Sequence, residues 1–323
     1  MKRLMRDLLT LCAVAALTAV LSRAGVYAAV AGWIDPSLQA ASGDWLSRES
    51  AAYLPPESGP VRTGHPLPPL PEKAETAPPV PTPVPGYRPL PEVRSGLKQP
   101  VDYASLLSAG WDYAPAESGP QILILHTHSC EAYTPEAPGE TASSDFRTLD
   151  DTRSVIAVGD ALMETLTDFG FSVLHDRSLY DWPSYNGAYD RSGAAVQDWL
   201  REYPSLRVVI DLHRDSLGGA RTEYLLPDGT KSAQVMLLLT SGENGLSHPL
   251  WQENLKLGLE IQSEMETRYP GFARALYLSP ARYNQQLSTG SFLAEVGTEA
   301  NTLSEAKQAA RLLGECLAAV LNG

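Results

Sequence analysis

Residues 122–131 read ILILHTHSCE and residues 207–216 read RVVIDLHRDS, so two short apolar runs each pass directly into histidine and acidic side chains. Short apolar runs of this kind are typical of strands buried on both faces of a parallel sheet. In open α/β sheets, ligands bind at the edge formed by the carboxyl ends of the strands. We therefore expect the two histidine-bearing segments to lie together at one edge of a sheet.

The chain beyond residue 101 alternates helix and strand signals. Gly170 is a good end for a helix that starts near Ser154, and Thr302 with Glu305 forms a capping box before the last helix. Strands alternating with helices predict an α/β fold, with a mostly parallel sheet flanked by helices. Helices are expected at residues 154–168, 188–203, 249–269 and 302–321, further strands at 171–174 and 291–296, and a hairpin from 224–226 and 234–240.

The composition excludes one class of partner. The 323 residues contain 25 Lys and Arg against 38 Asp and Glu, a formal net charge of −13. Nucleic-acid binding is therefore not expected, because it needs an excess of clustered basic residues. The three cysteines, Cys12, Cys130 and Cys316, are scattered and indicate neither a disulfide framework nor a cysteine metal site.

The N-terminus carries a membrane-targeting signal. Basic residues among the first six positions precede an apolar run from Leu8 to Leu21. This order is typical of an exported N-terminus whose basic end stays in the cytoplasm. We favour an uncleaved transmembrane anchor over residues 1–35, and the alternative is a signal peptide cleaved near the small residues 29–31.

A Pro-rich segment follows the apolar run. Fifteen of the 26 prolines fall between Pro55 and Pro100, a density that helices and strands do not tolerate. Residues 36–100 are therefore expected to form an extended extracytoplasmic linker. The folded domain is expected over residues 101–323.

Histidine and glutamate side chains cluster after the first predicted strand. His126, His128 and Glu131 lie within six residues, and the His-x-x-Glu spacing brings an imidazole and a carboxylate within reach of one metal ion. His213 follows the second strand, so the neighbouring strand ends would place imidazoles at the same edge.

The residues around His213 are polar as well. Asp211 or Asp215 is a candidate to orient a metal-binding imidazole by accepting a hydrogen bond from its other ring nitrogen. Arg214 carries a two-pronged guanidinium, which suits recognition of a substrate carboxylate.

A single glutamate interrupts the last apolar strand, in the segment FLAEVG at 292–297. A buried carboxylate is costly unless it is paired or lies near a metal ion. Beside a metal-activated water, Glu295 could accept a proton as general base and pass it to a leaving amine. An ion pair with Arg282 is the structural alternative.

Taken together, these segments resemble a known family. The residues HTHSCEAY, IDLHRDS and RYNQQLSTGSFLAEVGTEANTLSEA, with the helix end RYPGF, resemble stage II sporulation protein P, a family of membrane-anchored, zinc-dependent peptidoglycan amidases. The resemblance extends from about Ile122 to the C-terminus. It also implies a fold similar to that of the zinc N-acetylmuramoyl-L-alanine amidases.

The resemblance implies roles for particular residues. The first ligand of the amidases lies three residues beyond the apolar strand, which corresponds to His128, and His213 corresponds to the second histidine ligand of Zn²⁺. His126 is then structural or supports a ligand. Glu131 is expected as the carboxylate ligand and Glu295 as the catalytic base.

Alternatives remain open at some positions. The general amidases take their carboxylate ligand from a following helix, where Glu164 lies too far along and Asp151 or Asp160 would be substitutes. Cys130 is expected to be a bystander rather than a thiol nucleophile. Ordinary structural or solvent roles are expected for the remaining histidines, His65, His175 and His248.

The implied reaction is zinc-assisted hydrolysis of the amide between N-acetylmuramic acid and L-alanine, and cleavage of stem-peptide cross-links is also implied. Substrate contacts are expected from Arg214, Tyr283, Asn284 and Gln285. The implied partners are peptidoglycan and stage II sporulation proteins D and M, with the domain on the extracytoplasmic side of the cell membrane during engulfment. A peptidase that cuts only cross-links, or a wall-binding scaffold without turnover, is the alternative.

Overall fold

A computed structural model describes residues 88–114, 116, 118–136, 142–143 and 145–323. The predicted anchor at 1–35, and the predicted linker up to residue 87 with His65, lie outside the described residues. Within the described ranges, no helix combines the length and the apolar character that a membrane span needs.

The strands and helices are numbered here in chain order. The strands are β1 Val93–Ser95, β2 Ile122–Leu125, β3 Val173–His175, β4 Val208–Asp215, β5 Tyr224–Leu225, β6 Lys231–Ser232, β7 Val235–Thr240, β8 Leu276–Ser279 and β9 Ser291–Thr298. The helices are α1 Tyr103–Ala109, α2 Val155–Asp168, α3 Ala188–Glu202, α4 Trp251–Arg268 and α5 Leu303–Asn322, with a short 3₁₀ helix at Gln285–Leu287.

The main sheet has seven strands in the order β1-β8-β7-β9-β4-β2-β3. Neighbouring strands run parallel except for β7 and β9, which are antiparallel. The predicted α/β class, with a mostly parallel sheet flanked by helices, is confirmed. Strands β2 and β4 are direct neighbours in which Leu125 pairs with Asp211, so the chain leaves both strands at the same edge.

Alternating side chains divide β4 between the two faces of the sheet. Ile210 and Leu212 join the large hydrophobic cluster that includes α2, α4 and α5, whereas Val209 joins a smaller cluster with residues of α3. Successive side chains of a strand point to opposite faces, so Asp211 and His213 follow Val209 onto the α3 side. The polar residues of β4 therefore lie on the face that α3 covers.

The helix ends follow the capping signals in the sequence. Ser154 accepts a hydrogen bond from the main-chain amide of Ile156 at the start of α2, and Gly170 beyond its end has a φ of 88°, which glycine tolerates. Thr302 and Glu305 make both hydrogen bonds of the capping box before α5. The predicted helices are confirmed to within two residues of their bounds.

Three strand assignments differ from the sequence prediction. The predicted hairpin forms across the Pro-Asp-Gly turn, but its second strand was wrong, because β5 pairs with the nearby β6 and residues 235–240 form β7 of the main sheet. Strand β4 continues to Asp215 because its last residues still pair with β9, so His213 lies within the strand and not after it. Strand β1 pairs with β8, so the ordered sheet begins before Val101, inside the segment that was assigned to the linker.

Candidate metal centre

Two imidazoles meet at the carboxyl edge of the sheet. His128 follows β2 and His213 lies in β4, and their ring centroids are 5.3 Å apart with nearly perpendicular planes. Both side chains are buried. The fold thus brings together the two histidines that the sequence places at neighbouring strand ends.

Two carboxylates flank His213. Oε2 of Glu131 lies 3.5 Å from its Nδ1, and Oδ1 of Asp211 lies 2.8 Å from its Nε2, although the second contact is not aligned as a hydrogen bond. Burial alone would lower the pKa of His213, but the two carboxylates outweigh it and hold this pKa well above its usual value. Burial alone would raise the pKa of Glu131, but His213 and Arg214 lower it to about 2. Two carboxylates around one imidazole favour a cation at this position.

The ring of His128 is packed between aromatic side chains. Tyr185 stacks on it with 4.3 Å between centroids, and Tyr189 meets it edge-on at 5.5 Å. Its Nδ1 is buried without a hydrogen-bond partner and lies 3.9 Å from Oδ2 of Asp181. Burial lowers the pKa of His128 to about 4, so the ring is neutral at neutral pH, which is the form that binds metal ions.

Glu295 lies beside the histidines. It is the register partner of His213 on the neighbouring strand β9, and its Oε2 is buried without a hydrogen-bond partner. Burial, with a contribution from Asp215, holds the pKa of Glu295 above its usual value. Asp215 itself pairs with Arg274 at 2.8 Å. The guanidinium of Arg282 donates instead to a main-chain carbonyl, so the alternative of an ion pair with Glu295 does not fit the described contacts.

The donors around His213 suit zinc. Imidazole and carboxylate are common zinc ligands, and two ligands of a tetrahedral ion lie about 3.4 Å apart, close to the 3.5 Å between Glu131 and His213. His128 adds a buried nitrogen without a partner. No group of three or more His, Cys, Asp or Glu side chains in the described ranges is close enough together to hold an ion. The residues therefore fit zinc in donor type and in one pairwise spacing.

Both ring nitrogens of His126 have partners within the protein. Its Nδ1 donates to a main-chain carbonyl of β4 at 2.8 Å, and its Nε2 lies 2.8 Å from Nε2 of His175. His175 in turn bonds Asp160 at 3.0 Å. Arg177 pairs with both Asp160 and Asp151. The two alternative carboxylate ligands are thus engaged by Arg177, and the geometry favours Glu131.

Two predicted substrate contacts are buried and engaged elsewhere. Arg214 donates to the main-chain carbonyls of Ala132 and Phe146, and the side-chain amide of Gln285 bonds β7. Substrate recognition by these two side chains does not fit this placement, because each ties separate chain segments together. Tyr283 remains at the site with its ring 5.3 Å from that of Tyr189, and the amide of Asn284 bonds α3.

The thiol near the site is not activated. Burial, together with the nearby Asp181 carboxylate, raises the pKa of Cys130 to about 12, and only a thiolate is a good nucleophile.

His248 is buried, and burial lowers its pKa to about 4.

Sequence reasoning missed a group of residues around His128. Asp181 is buried and pairs with Arg147, whose guanidinium lies 5.3 Å from the centroid of the Tyr185 ring. Asp181, Tyr185 and Tyr189 all come from the aromatic-rich stretch that follows β3. Its position after the carboxyl end of a parallel strand was the available signal, because that end faces the same edge as the histidines.

Comparison with known proteins identifies the family. Residues 91–318 match the family model of stage II sporulation protein P. The chain belongs to this family. It is also 30% identical over 204 residues to stage II sporulation protein P of Bacillus subtilis strain 168, a match that covers 58% of this chain. The match covers 48% of the relative, so the chain spans about half the length of the curated relative it matches.

Solved structures of amidases show a more distant similarity. The CwlD amidase from Clostridioides difficile, solved in complex with the GerS lipoprotein, has 15% identity and a TM-score of 0.37, with 62% of this chain and 94% of that chain covered. The amidase Ami1 from Mycobacterium smegmatis has 13% identity and a TM-score of 0.38, with coverage of 62% and 97%. Both TM-scores lie below 0.5.

Proposed function

We propose that the chain is a zinc-dependent peptidoglycan hydrolase that cleaves the amide between N-acetylmuramic acid and L-alanine, with stem-peptide cross-links as a second target. The observation that carries the proposal is that His128 and Glu131 both lie against His213, whose register partner on β9 is Glu295 with a buried Oε2. Membership of the stage II sporulation protein P family supports the choice of peptidoglycan as substrate.

His128, Glu131 and His213 would hold the metal. A bound zinc ion supplies a Lewis acid that lowers the pKa of water and polarises the scissile carbonyl. Glu131 carries a negative charge and His128 is neutral at neutral pH, because their pKa values lie at about 2 and about 4. Both are therefore in the protonation state that a ligand needs, whereas His213, whose pKa the two carboxylates raise, would release its proton when the metal binds.

Glu295 would transfer the proton of the attacking water to the leaving group. It would accept a proton from the attacking water and then deliver it to the departing amine of L-alanine, acting first as general base and then as general acid. Its buried, unpartnered oxygen is free to make that bond. Tyr189 and Tyr283 lie next to each other near this carboxylate and are candidates to contact the substrate.

The cellular setting is proposed on the same basis. An anchor over residues 1–35 and a linker up to about residue 100 would hold the catalytic domain at the extracytoplasmic face of the cell membrane. Stage II sporulation proteins D and M are the proposed protein partners, as the family resemblance implies.

One experiment separates the candidate functions. The purified full-length chain is analysed for bound zinc and incubated with purified peptidoglycan, and the released muropeptides are identified by mass spectrometry. Free stem peptides that begin with L-alanine support the amidase, whereas shortened cross-links alone indicate a peptidase. Binding to peptidoglycan without any product would reject hydrolysis and indicate a wall-binding scaffold.

A further inference from the structure

A buried hydrogen-bond chain runs from the segment before β9 to Asp211, whose carboxylate lies against the histidine in β4. The side-chain amide of Asn284 donates to Oγ of Ser192 at 3.1 Å, and this hydroxyl lies 2.7 Å from Oγ1 of Thr127. Thr127 then donates to Oδ2 of Asp211 at 2.7 Å. The other oxygen of Asp211 lies 2.8 Å from Nε2 of His213.

The donor and acceptor chemistry of these groups indicates which group donates in each hydrogen bond of this series. The carboxylate of Asp211 can only accept, so the proton of the Thr127 hydroxyl is used on it. Thr127 then accepts from Ser192, whose other acceptor, the main-chain carbonyl of Tyr189, is more distant at 3.4 Å. Ser192 accepts from the NH₂ of Asn284, which can only donate. The main-chain amide of Thr127 also donates to Oδ1 of Asp211 at 2.8 Å. Each oxygen of this carboxylate therefore accepts a hydrogen bond from Thr127.

The hydrogen-bond chain begins at a turn with strained backbone angles, formed by Tyr283 and Asn284. Tyr283 and Asn284 have φ values of 44° and 60°, a region that side chains other than glycine rarely adopt. Such conformations persist only where the surroundings over-determine them. Here Asn284 also donates to the main-chain carbonyl of Tyr189 at 2.8 Å. The turn is thus hydrogen-bonded to α3, and its Tyr283 ring lies next to the Tyr189 ring.

Helix α3 is shaped to receive the amide. A Cβ at Gly193 would lie 2.8 Å from Oδ1 and 3.0 Å from Cγ of Asn284, closer than a side chain there could approach. The neighbouring Ser192 is fully buried. Glycine at 193 therefore allows the Asn284 amide to lie flat against the helix and reach the Ser192 hydroxyl.

We infer that Asn284 is a positioning residue for the candidate metal centre, and not a contact to substrate. Its amide starts a one-way hydrogen-bond chain that orients Asp211 behind His213, and the same amide holds Tyr283 at the site. The inference rests on the proposed function in so far as His213 binds zinc. Partners that orient a metal ligand typically change metal affinity or activity about 10–100-fold when they are lost.

Two substitutions distinguish the effect of the Asn284 side-chain amide from the effect of the strained backbone. Asn284→Asp keeps the shape and tolerance of the turn but removes both donors, and Asn284→Gly keeps the left-handed backbone but removes the side chain. In the full-length protein, both should weaken zinc affinity about tenfold or more in competition with a chelator. Asn244→Asp, at an exposed position, adds the same charge and should leave zinc affinity unchanged.

Wild-type zinc affinity in both Asn284 variants would overturn the inference. A lower melting temperature with unchanged affinity of the folded protein would also overturn it, because that result indicates a role in stability alone. Gly193→Ala provides a third variant that displaces the amide without altering it, and it should weaken zinc affinity in the same direction.

A double-mutant cycle tests the chain without metal. Asn284→Gly and Ser192→Ala, alone and together, are compared by denaturant unfolding of the metal-free protein. Non-additive effects are expected, because both side chains belong to one hydrogen-bond chain. Additive effects would refute the chain. A wild-type protein that binds no zinc would reject the proposed function, and the cycle would still decide the inference.

Discussion

Glu295 and His213 are direct register partners on the parallel strands β9 and β4. Partners in a parallel pair point to the same face of the sheet. This places the carboxylate next to an imidazole that two other carboxylates already flank. Glu295 therefore lies beside the candidate metal centre without being one of its expected ligands.

Glu295→Gln should separate proton transfer from metal binding. The substitution keeps the size of the side chain but removes its ability to accept a proton, so release of stem peptides should fall about 10²–10⁴-fold. Bound zinc, measured by elemental analysis, should remain. Glu164→Gln on the exposed face of α2 is the matched control and should keep full activity. Turnover close to the wild-type rate in Glu295→Gln would remove this residue from the mechanism.

Glu131→Gln should identify the carboxylate ligand. The glutamine can still accept the hydrogen bond that the Arg214 amide makes to Oε2 of Glu131, so the fold should persist while the negative charge at the metal is lost. Zinc affinity should drop by more than the roughly 10–100-fold typical of residues that only orient a ligand. Asp151→Asn tests the alternative ligand and should leave zinc content unchanged. The reverse pattern would assign the metal to the other carboxylate.

The convergence of the two histidine segments could be predicted from sequence because it depends on a simple rule. The short apolar runs before His126 and Asp211 are typical of buried strands, and parallel strands bring their carboxyl ends to one edge. The capping box at Thr302 was equally clear, since it depends on residues three apart. Local patterns of this kind do not require knowledge of the tertiary structure.

The surroundings of the site could not be predicted in the same way. The path of the loop that carries Asp181 and Tyr185 depends on its ion pair with Arg147, a residue from a distant segment. Arg214 has the right chemistry for a substrate carboxylate, but main-chain carbonyls satisfy it. The hydrogen bonds of Asn284 to α3 likewise depend on tertiary packing that no periodicity records.

Gly159→Ala should destabilise the protein, although this change normally favours a helix by up to about 1 kcal/mol. A Cβ at this position in α2 would lie 2.6 Å from Nε2 of His175 and 2.7 Å from Nε2 of His126. Forcing these buried rings apart should cost about 1–3 kcal/mol in the free energy of unfolding, measured in urea. Glu164→Ala on the exposed side of the same helix should be nearly neutral. A Gly159→Ala variant as stable as the wild type would show that the two rings can separate without cost.

Asp176→Asn should lower stability at neutral pH and lose that effect in acid. The Trp199 indole and the main-chain amide of Ser178 donate to opposite oxygens of the buried Asp176 carboxylate, at 2.6 Å and 3.0 Å. Asparagine offers only one oxygen, so one donor is left unsatisfied, at about 1–3 kcal/mol in the free energy of unfolding.

The pH dependence of this effect follows from the pKa of Asp176. Burial alone would raise that pKa, but hydrogen bonds from Tyr180, Ser178 and Trp199 outweigh it and lower the pKa below its usual value. The folded state then binds fewer protons than the unfolded chain, so the carboxylate stabilises the fold above an unfolded pKa of about 3.9. Urea unfolding from neutral pH down to about pH 3 should show the wild type and Asp176→Asn converging below about pH 4. Asp168→Asn, an exposed position at the end of α2, should differ little from the wild type throughout, and a constant gap between wild type and Asp176→Asn would contradict the assignment.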